Sequence, residues 1–172
     1  RPLDWRHENE HIVIPKKATR RGLNQIRIAF VAGNQSLNRS DEYMYTLFVP
    51  DRARTCFPCF DQPDLKALFA LTLDIPAEWT AVANEPLKEV AGAAKGRRRL
   101  SNDAQGTPGK QTELRGAHKP IPTYLFAFAA GRFEYQENTQ DGRTIGAYNR
   151  ETDTARIAQL KEIFRQVHFS LQ

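Results

Sequence analysis

Through the first half of the chain, apolar and polar side chains alternate with a period of two, the pattern of strands that bury one face. His11 to Ile14 is rich in β-branched residues and stops at Pro15, while Ile26, Ile28 and Phe30 alternate with Arg27 and Ala29. Gly22 and the Gly33-Asn34 pair punctuate these segments. Tyr43 to Val49 is an aromatic and aliphatic run closed by Pro50, and Leu71, Leu73 and Ile75 alternate with Thr72 and Asp74 up to Pro76. Trp79 to Ala83 offers a further short strand. Lys88 to Pro122 then brings many Gly, Lys and Arg residues with few large hydrophobics, and reads as a ragged hairpin or an exposed loop.

Order returns at Thr123. Tyr124 to Ala129 is apolar on both faces, as a central strand is, and Gly131 marks a bend. Asp141-Gly142 between Phe133 to Glu137 and Arg143 to Tyr148 predicts a hairpin. From Thr152 or Asp153 as N-cap, Ile157, Leu160, Phe164, Val167 and Leu171 recur at helical spacing up to the end of the chain. That stripe ends without a cap at Gln172, which predicts a helix continuing into further polypeptide. The pattern predicts a mainly β fold: a two-layer sandwich of antiparallel and mixed strands over residues 1–150, with one C-terminal α-helix over residues 151–172.

With 172 residues, 40% hydrophobic and 26% charged, the chain is long enough to close a core and falls outside the collagen-like, coiled-coil and disordered classes. No apolar run reaches the length of a membrane span. The chain opens on Arg1 with no basic-then-apolar leader, so the expectation is a soluble piece of a processed or cloned protein whose compartment is open. The 25 basic residues against 20 acidic ones give +5, which favours anionic partners. The excess lies in Lys16, Lys17, Arg20 and Arg21 and again in Lys95, Arg97, Arg98 and Arg99. Solvated loops account for both groups at least as well as a binding face does. Arginines without interleaved aromatics make a poor nucleic-acid signature, so no nucleic-acid partner is expected.

Two motifs carry candidate chemistry. Cys56 and Cys59 stand in C-x-x-C spacing, which suits a redox pair or half a zinc site, but no other Cys exists. Pro58 between them and the flanking Phe57 and Phe60 favour buried thiols. His7, Glu8 and His11 match H-E-x-x-H, in which two His on one helical face bind zinc and the Glu acts as general base. That chemistry needs a helix, and His11 opens a β-branched run ending in proline. On a continuous strand the two His would lie about 13 Å apart, too far to share one zinc. There is no acid between His11 and Asp41 to serve as a third ligand, so the motif is read as false and no metal site is expected. His118 falls in the loop, and His168 on the terminal helix reads as a partly buried or interface histidine.

The most specific stretch is Asp51 to Ala67. Pro58 and Pro63 fix its backbone, Asp61 can cap a turn through backbone N–H groups between them, and aromatics anchor it. It resembles the A-R-x-x-F-P-C-F-D-x-P-x-x-K-A segment of the M1 family of zinc aminopeptidases, with Arg54, Phe57, Pro58, Cys59, Asp61, Pro63, Lys66 and Ala67 at the matching positions. The strand to Ile75-Pro76, Val82-Ala83-Asn84, and Pro122 to Phe133 are similar to the family in order and spacing. The resemblance implies the N-terminal, saddle-shaped β domain, which packs on a zinc-bearing catalytic domain of the same protein and walls its active site, where peptides lose their N-terminal residue. It implies that the catalytic motifs and the zinc lie outside these residues, so neither catalytic group nor cofactor is expected within them. Many members place Gln or Glu where this chain has Leu47 and Val49; these two become candidate pocket-wall residues, set against the plainer reading that both belong to a core strand. The competing reading of the whole chain is a stand-alone or adaptor β module without peptidase activity.

Overall fold

The computed structural model describes residues 4–103 and 119–171. His118 and the middle of the stretch read above as a loop lie outside them. The central sheet has four strands, β3 (Leu37–Arg39), β4 (Tyr43–Thr46), β11 (Phe128–Gly131) and β7 (Thr80–Ala83), in the order β3-β4-β11-β7. A second sheet has the order β6-β9-β8, from β6 (Thr72–Pro76), β9 (Arg97–Ser101) and β8 (Lys88–Glu89). Three two-stranded ribbons join β1 (Arg6–Glu8) to β2 (His11–Val13), β5 (Lys66–Ala67) to β10 (Ile121–Pro122), and β12 (Glu134–Gln140) to β13 (Arg143–Asn149). Helices α1 (Thr154–Ile157) and α2 (Leu160–Ser170) follow. The mainly β expectation holds, and every ladder among the described residues is antiparallel. None of the described helices is long and apolar enough to cross a membrane.

Burial follows the alternation. One cluster holds Leu37, Phe48, Ala53, Cys56 and Phe126, and the other holds Ile75, Trp79, Leu100 and Ala130. Met44 packs against both. Phe126 lies face to face with Phe69, ring centroids 4.4 Å apart, and edge-on to Phe57 at 6.0 Å.

Four local expectations are revised. The central strand begins at Phe128, because Thr123–Leu125 forms a single 3-10 turn after Pro122. Asn84 holds that turn's exit, donating to Leu125 O and accepting from Ala127 N, which diverts both groups from the ladder. Arg97, Arg98 and Arg99 belong to β9 rather than to a solvated loop, and the antiparallel pairing of β8 with β9 is the hairpin alternative for that stretch. Leu100 and Ser101 bury its end, while Arg99 forms a two-pronged pair with Asp74 and Arg98 meets Glu89. The terminal helix breaks at Ala158 and Gln159, and its buried residues are Phe164 and His168 rather than the whole apolar stripe, with Asp153 as the cap donating no proton but accepting from Ala155 N. Finally, Ile26 to Phe30 joins no sheet among the described residues, and its large side chains are exposed.

The β4–β11 pairing places Gly131 opposite Tyr43, where a Cβ on Gly131 would sit 2.7 Å from Tyr43 Cβ and 2.9 Å from Glu42 O. The obstruction includes backbone on a central strand, which cannot swing aside. Gly131→Ala is therefore expected to lower stability by about 1–3 kcal/mol in urea denaturation. An unchanged midpoint would show that β4 can move away from β11.

Candidate functional site

The site grows out of β4. Beyond Thr46 the alternation continues: Phe48 turns into the core at 2% exposure, while Leu47 and Val49 point outward at 51% and 53%. Leu47 is held in place by its backbone N–H, which donates to Ser36 O at 2.8 Å. The plainer reading of both residues as core is thus corrected; the core position of this run belongs to Phe48. By the period of two, Tyr43 and Tyr45 share the outward side, their rings stacked with centroids 6.1 Å apart. Arg150 caps the row, its guanidinium 4.3 Å from the Tyr43 ring centroid and paired with Glu42.

After the cis Val49–Pro50 peptide the chain makes a 3-10 turn at Ala53–Thr55. Ser36 Oγ donates to Arg52 O, and its hydroxyl lies 2.7 Å from that of Thr55. Asp61, whose side chain is 5% exposed, accepts from Arg54 N at 3.0 Å. The cap therefore spans seven residues backward to the 3-10 turn rather than the interval between Pro58 and Pro63, because the free donors are at that turn. The Arg54 guanidinium turns to Asp51 at 2.9 Å, with Glu10 at 3.8 Å and Asp61 at 4.0 Å. The hydrogen bond and charge of Asp51, seconded by Glu10 and Asp61, push its pKa up. Pro58 is half-buried, whereas Pro63 and Lys66 are exposed, Lys66 pairing with Pro122 in the β5–β10 ribbon. The segment is a scaffold that orients β4; it brings no acid–base pair together.

The H-E-x-x-H residues form a hairpin rather than one continuous strand. Asn9 and Glu10 take the left-handed conformation at its tip, with φ 48° and 62°. His7 pairs with Ile12 and Glu8 with His11, so the two imidazoles project from opposite faces of the ribbon and do not converge on one ion. Among the described residues no group of three His, Cys, Asp or Glu could hold a metal ion. These side chains do not fit the zinc that the resemblance implies.

Sequence reasoning missed the clamps. Asn84 and Asn102 bind backbone on either side of a cavity of about 350 Å³ floored by Phe69 and Phe126, and Ser36 secures the turn; each is a small polar residue just beyond or before an apolar run, which is their only signature.

Comparison with known proteins decides the family. The profile of the Peptidase M1 N-terminal domain matches residues 9–102. The chain belongs to the Peptidase M1 N-terminal domain family. Among relatives of this M1 N-terminal domain, Aminopeptidase M1-A of Oryza sativa subsp. japonica is 32% identical over 152 residues, covering 87% of this chain and 15% of that protein. Aminopeptidase M1 of Arabidopsis thaliana is 33% identical over 105 residues, covering 60% and 10%. Aminopeptidase Ey of Gallus gallus is 37% identical over 92 residues, covering 52% and 8%. The chain thus spans 15% or less of the length of these relatives. Among solved structures, an M1 zinc metallopeptidase from Deinococcus radiodurans is similar at a TM-score of 0.46 and 20% identity, over 71% of this chain and 28% of that one. A two-domain M1 zinc metallopeptidase bound to L-arginine gives the same TM-score and identity over 66% and 24%.

The cysteines of this M1 N-terminal domain are free thiols, Cys56 buried and Cys59 half-buried. Burial, then the neighbouring Asp61 charge, pushes the Cys59 thiol up from 9.0 to about 11. The folded state keeps this proton where the unfolded chain releases it, so its contribution to stability is full below pH 9 and falls as pH rises toward about 11. Cys59 is expected to resist iodoacetamide at neutral pH in the folded chain and to react on unfolding. Rapid alkylation of the native protein at pH 7, located to Cys59 by mass spectrometry, would contradict this.

Proposed function

We propose that this M1 N-terminal domain is the non-catalytic β domain of a zinc-dependent aminopeptidase that removes N-terminal residues from peptides, packing on the metallopeptidase domain and forming one wall of its active site. The observation that carries the proposal is the outward row Tyr45, Leu47 and Val49, three large side chains between 42% and 53% exposed on β4 and the stretch that follows it, where Thr46 and Phe48 between them are buried. An outward row of apolar side chains on and just beyond an inner strand can shape a subsite for an apolar residue. It cannot hold a free amine by charge, since the row carries no acid at the positions of Leu47 and Val49. The amine and the zinc are then left to the metallopeptidase domain, where a bound zinc would activate water for attack on the peptide carbonyl. The names of the relatives, aminopeptidases from plants and a bird, support the same assignment. By itself the chain is expected to show no peptidase activity.

The test is Leu47→Gln in the full-length protein that carries this domain. At an exposed site the change should leave the unfolding free energy of the chain within about 0.5 kcal/mol. It should also shift kcat/KM away from apolar N-terminal residues by about tenfold, the scale of an altered apolar contact in a pocket. Unchanged preference across aminoacyl substrates in both Leu47→Gln and Val49→Gln would remove the wall from this face and leave the adaptor reading.

A further inference from the structure

The chain carries a net charge of +5, yet its β12–β13 ribbon is acidic: residues 133–148 hold Glu134, Glu137 and Asp141 against Arg143 alone. By the register, Tyr135, Glu137 and Thr139 on β12 share one face with Tyr148, Gly146 and Thr144 on β13. The other face bears the half-buried Ile145, Ala147 and Asn149, and Asn149 lines a cavity together with Leu160 of α2. On the first face Tyr135 and Tyr148 remain 49% and 41% exposed, their ring centroids 4.8 Å apart. Three contacts hold the Tyr135 ring. It lies across the bare backbone of Gly146, where a Cβ would fall 2.6 Å from Tyr135 Cε2. Tyr148 stands beside it, and its hydroxyl donates to Glu137 at 2.8 Å. Glu137 itself has no cationic partner among the described residues. Elsewhere the chain fills the same combination from within: Arg150 lies over the Tyr43 ring, 4.3 Å from its centroid, and pairs with Glu42. Tyr135 with Glu137 repeats the ring and the carboxylate without the arginine.

We propose that this face of the ribbon takes an arginine side chain of another polypeptide, its guanidinium over the Tyr135 ring and paired with Glu137. A guanidinium stacks on an aromatic ring while its N–H groups fork to a carboxylate, and Tyr135 and Glu137 set those two receptors side by side. The Tyr135 hydroxyl occupies one acceptor site of Glu137 and leaves the others open to further donors. Because the ring is already held, binding orders little on this side of the contact. An anionic partner would meet the acidic ribbon, and an apolar one would strand the Glu137 carboxylate without water. A sugar would find the rings but few free hydroxyls, since those of Thr139 and Thr144 engage each other at 2.8 Å and that of Tyr135 is taken by Glu137. The ribbon forms a sheet separate from that of β4, so this contact stands apart from the subsite proposed for Leu47 and Val49.

The test uses the full-length protein that carries this domain and a fluorescent peptide of alternating arginine and serine, followed by polarisation. Acetylation of the peptide's N-terminus removes the free amine that an aminopeptidase site would take. The peptide should bind at least about tenfold more tightly than its citrulline counterpart, which keeps the planar group and loses the charge, and should weaken with salt. A lysine–serine peptide should bind more weakly than the arginine one. Glu137→Gln, whose amide oxygen can still accept from the Tyr135 hydroxyl, and Tyr135→Leu should each weaken binding by about tenfold or more, while Tyr135→Phe keeps the ring and should stay within about threefold of the parent. No binding of the arginine peptide, equal binding of the citrulline or lysine peptide, undiminished binding by Glu137→Gln, or binding of a neutral oligosaccharide in place of the peptide would each overturn the inference.

Discussion

Phe126→Ala is expected to lower the unfolding free energy by about 3–5 kcal/mol, the range for removing a buried aromatic ring. The ring is 9% exposed and stands within 6.3 Å, centroid to centroid, of Phe48, Phe57, Phe69 and Phe128. Its loss leaves a hole among rings that come from separate segments of the chain, which must move together to fill it. An effect of this size is a large part of a domain's stability of about 5–15 kcal/mol, so the alanine variant can fail to fold. Phe126→Leu keeps most of the volume and should cost less while remaining measurable. Urea denaturation of both variants checks the ranking; a Phe126→Ala loss below about 1 kcal/mol would mean that the cluster repacks.

Asp61→Ala should cost about 1–3 kcal/mol, because it strands the Arg54 N–H at the start of the 3-10 turn. The variant also removes a buried carboxylate near the Arg54 guanidinium, which retains Asp51 at 2.9 Å. Asp61→Asn separates the two effects: its amide oxygen can still accept from Arg54 N. If the cap dominates, the asparagine variant recovers most of the stability in chemical denaturation. Equal losses in both variants would assign the effect to charge instead.

The alternating strands were legible because each has one buried face, as Leu73 and Ile75 do on β6 and Met44 and Thr46 on β4. The β12–β13 hairpin was legible from Asp141-Gly142, whose positive φ angles of 52° and 75° the turn requires. What escaped depends on partners distant in sequence. The arginines of β9 read as loop because their carboxylates lie 9 and 25 residues away, in Glu89 and Asp74. Tyr124 read as strand because nothing nearby shows that Asn84, 41 residues before Leu125, takes the carbonyl the ladder would need. Ile26 to Phe30 carries the alternation of a strand, but forms no strand among the described residues. For the candidate site, the sequence pointed to Leu47 and Val49 but could not say which way the strand faced; the burial of Phe48 between them decides it.

Met44 is the only methionine in the chain, and it packs against both hydrophobic clusters. Its unbranched thioether adapts to two differently shaped neighbours at once, which a β-branched residue could not do. The same position concentrates a vulnerability. Oxidation to the sulfoxide would place one polar oxygen at the seam of the two clusters, so a single chemical lesion loosens both. The two halves of the interior therefore share one fate under oxidative stress, although no polypeptide segment other than β4 and its neighbour β11 need carry the disturbance between them.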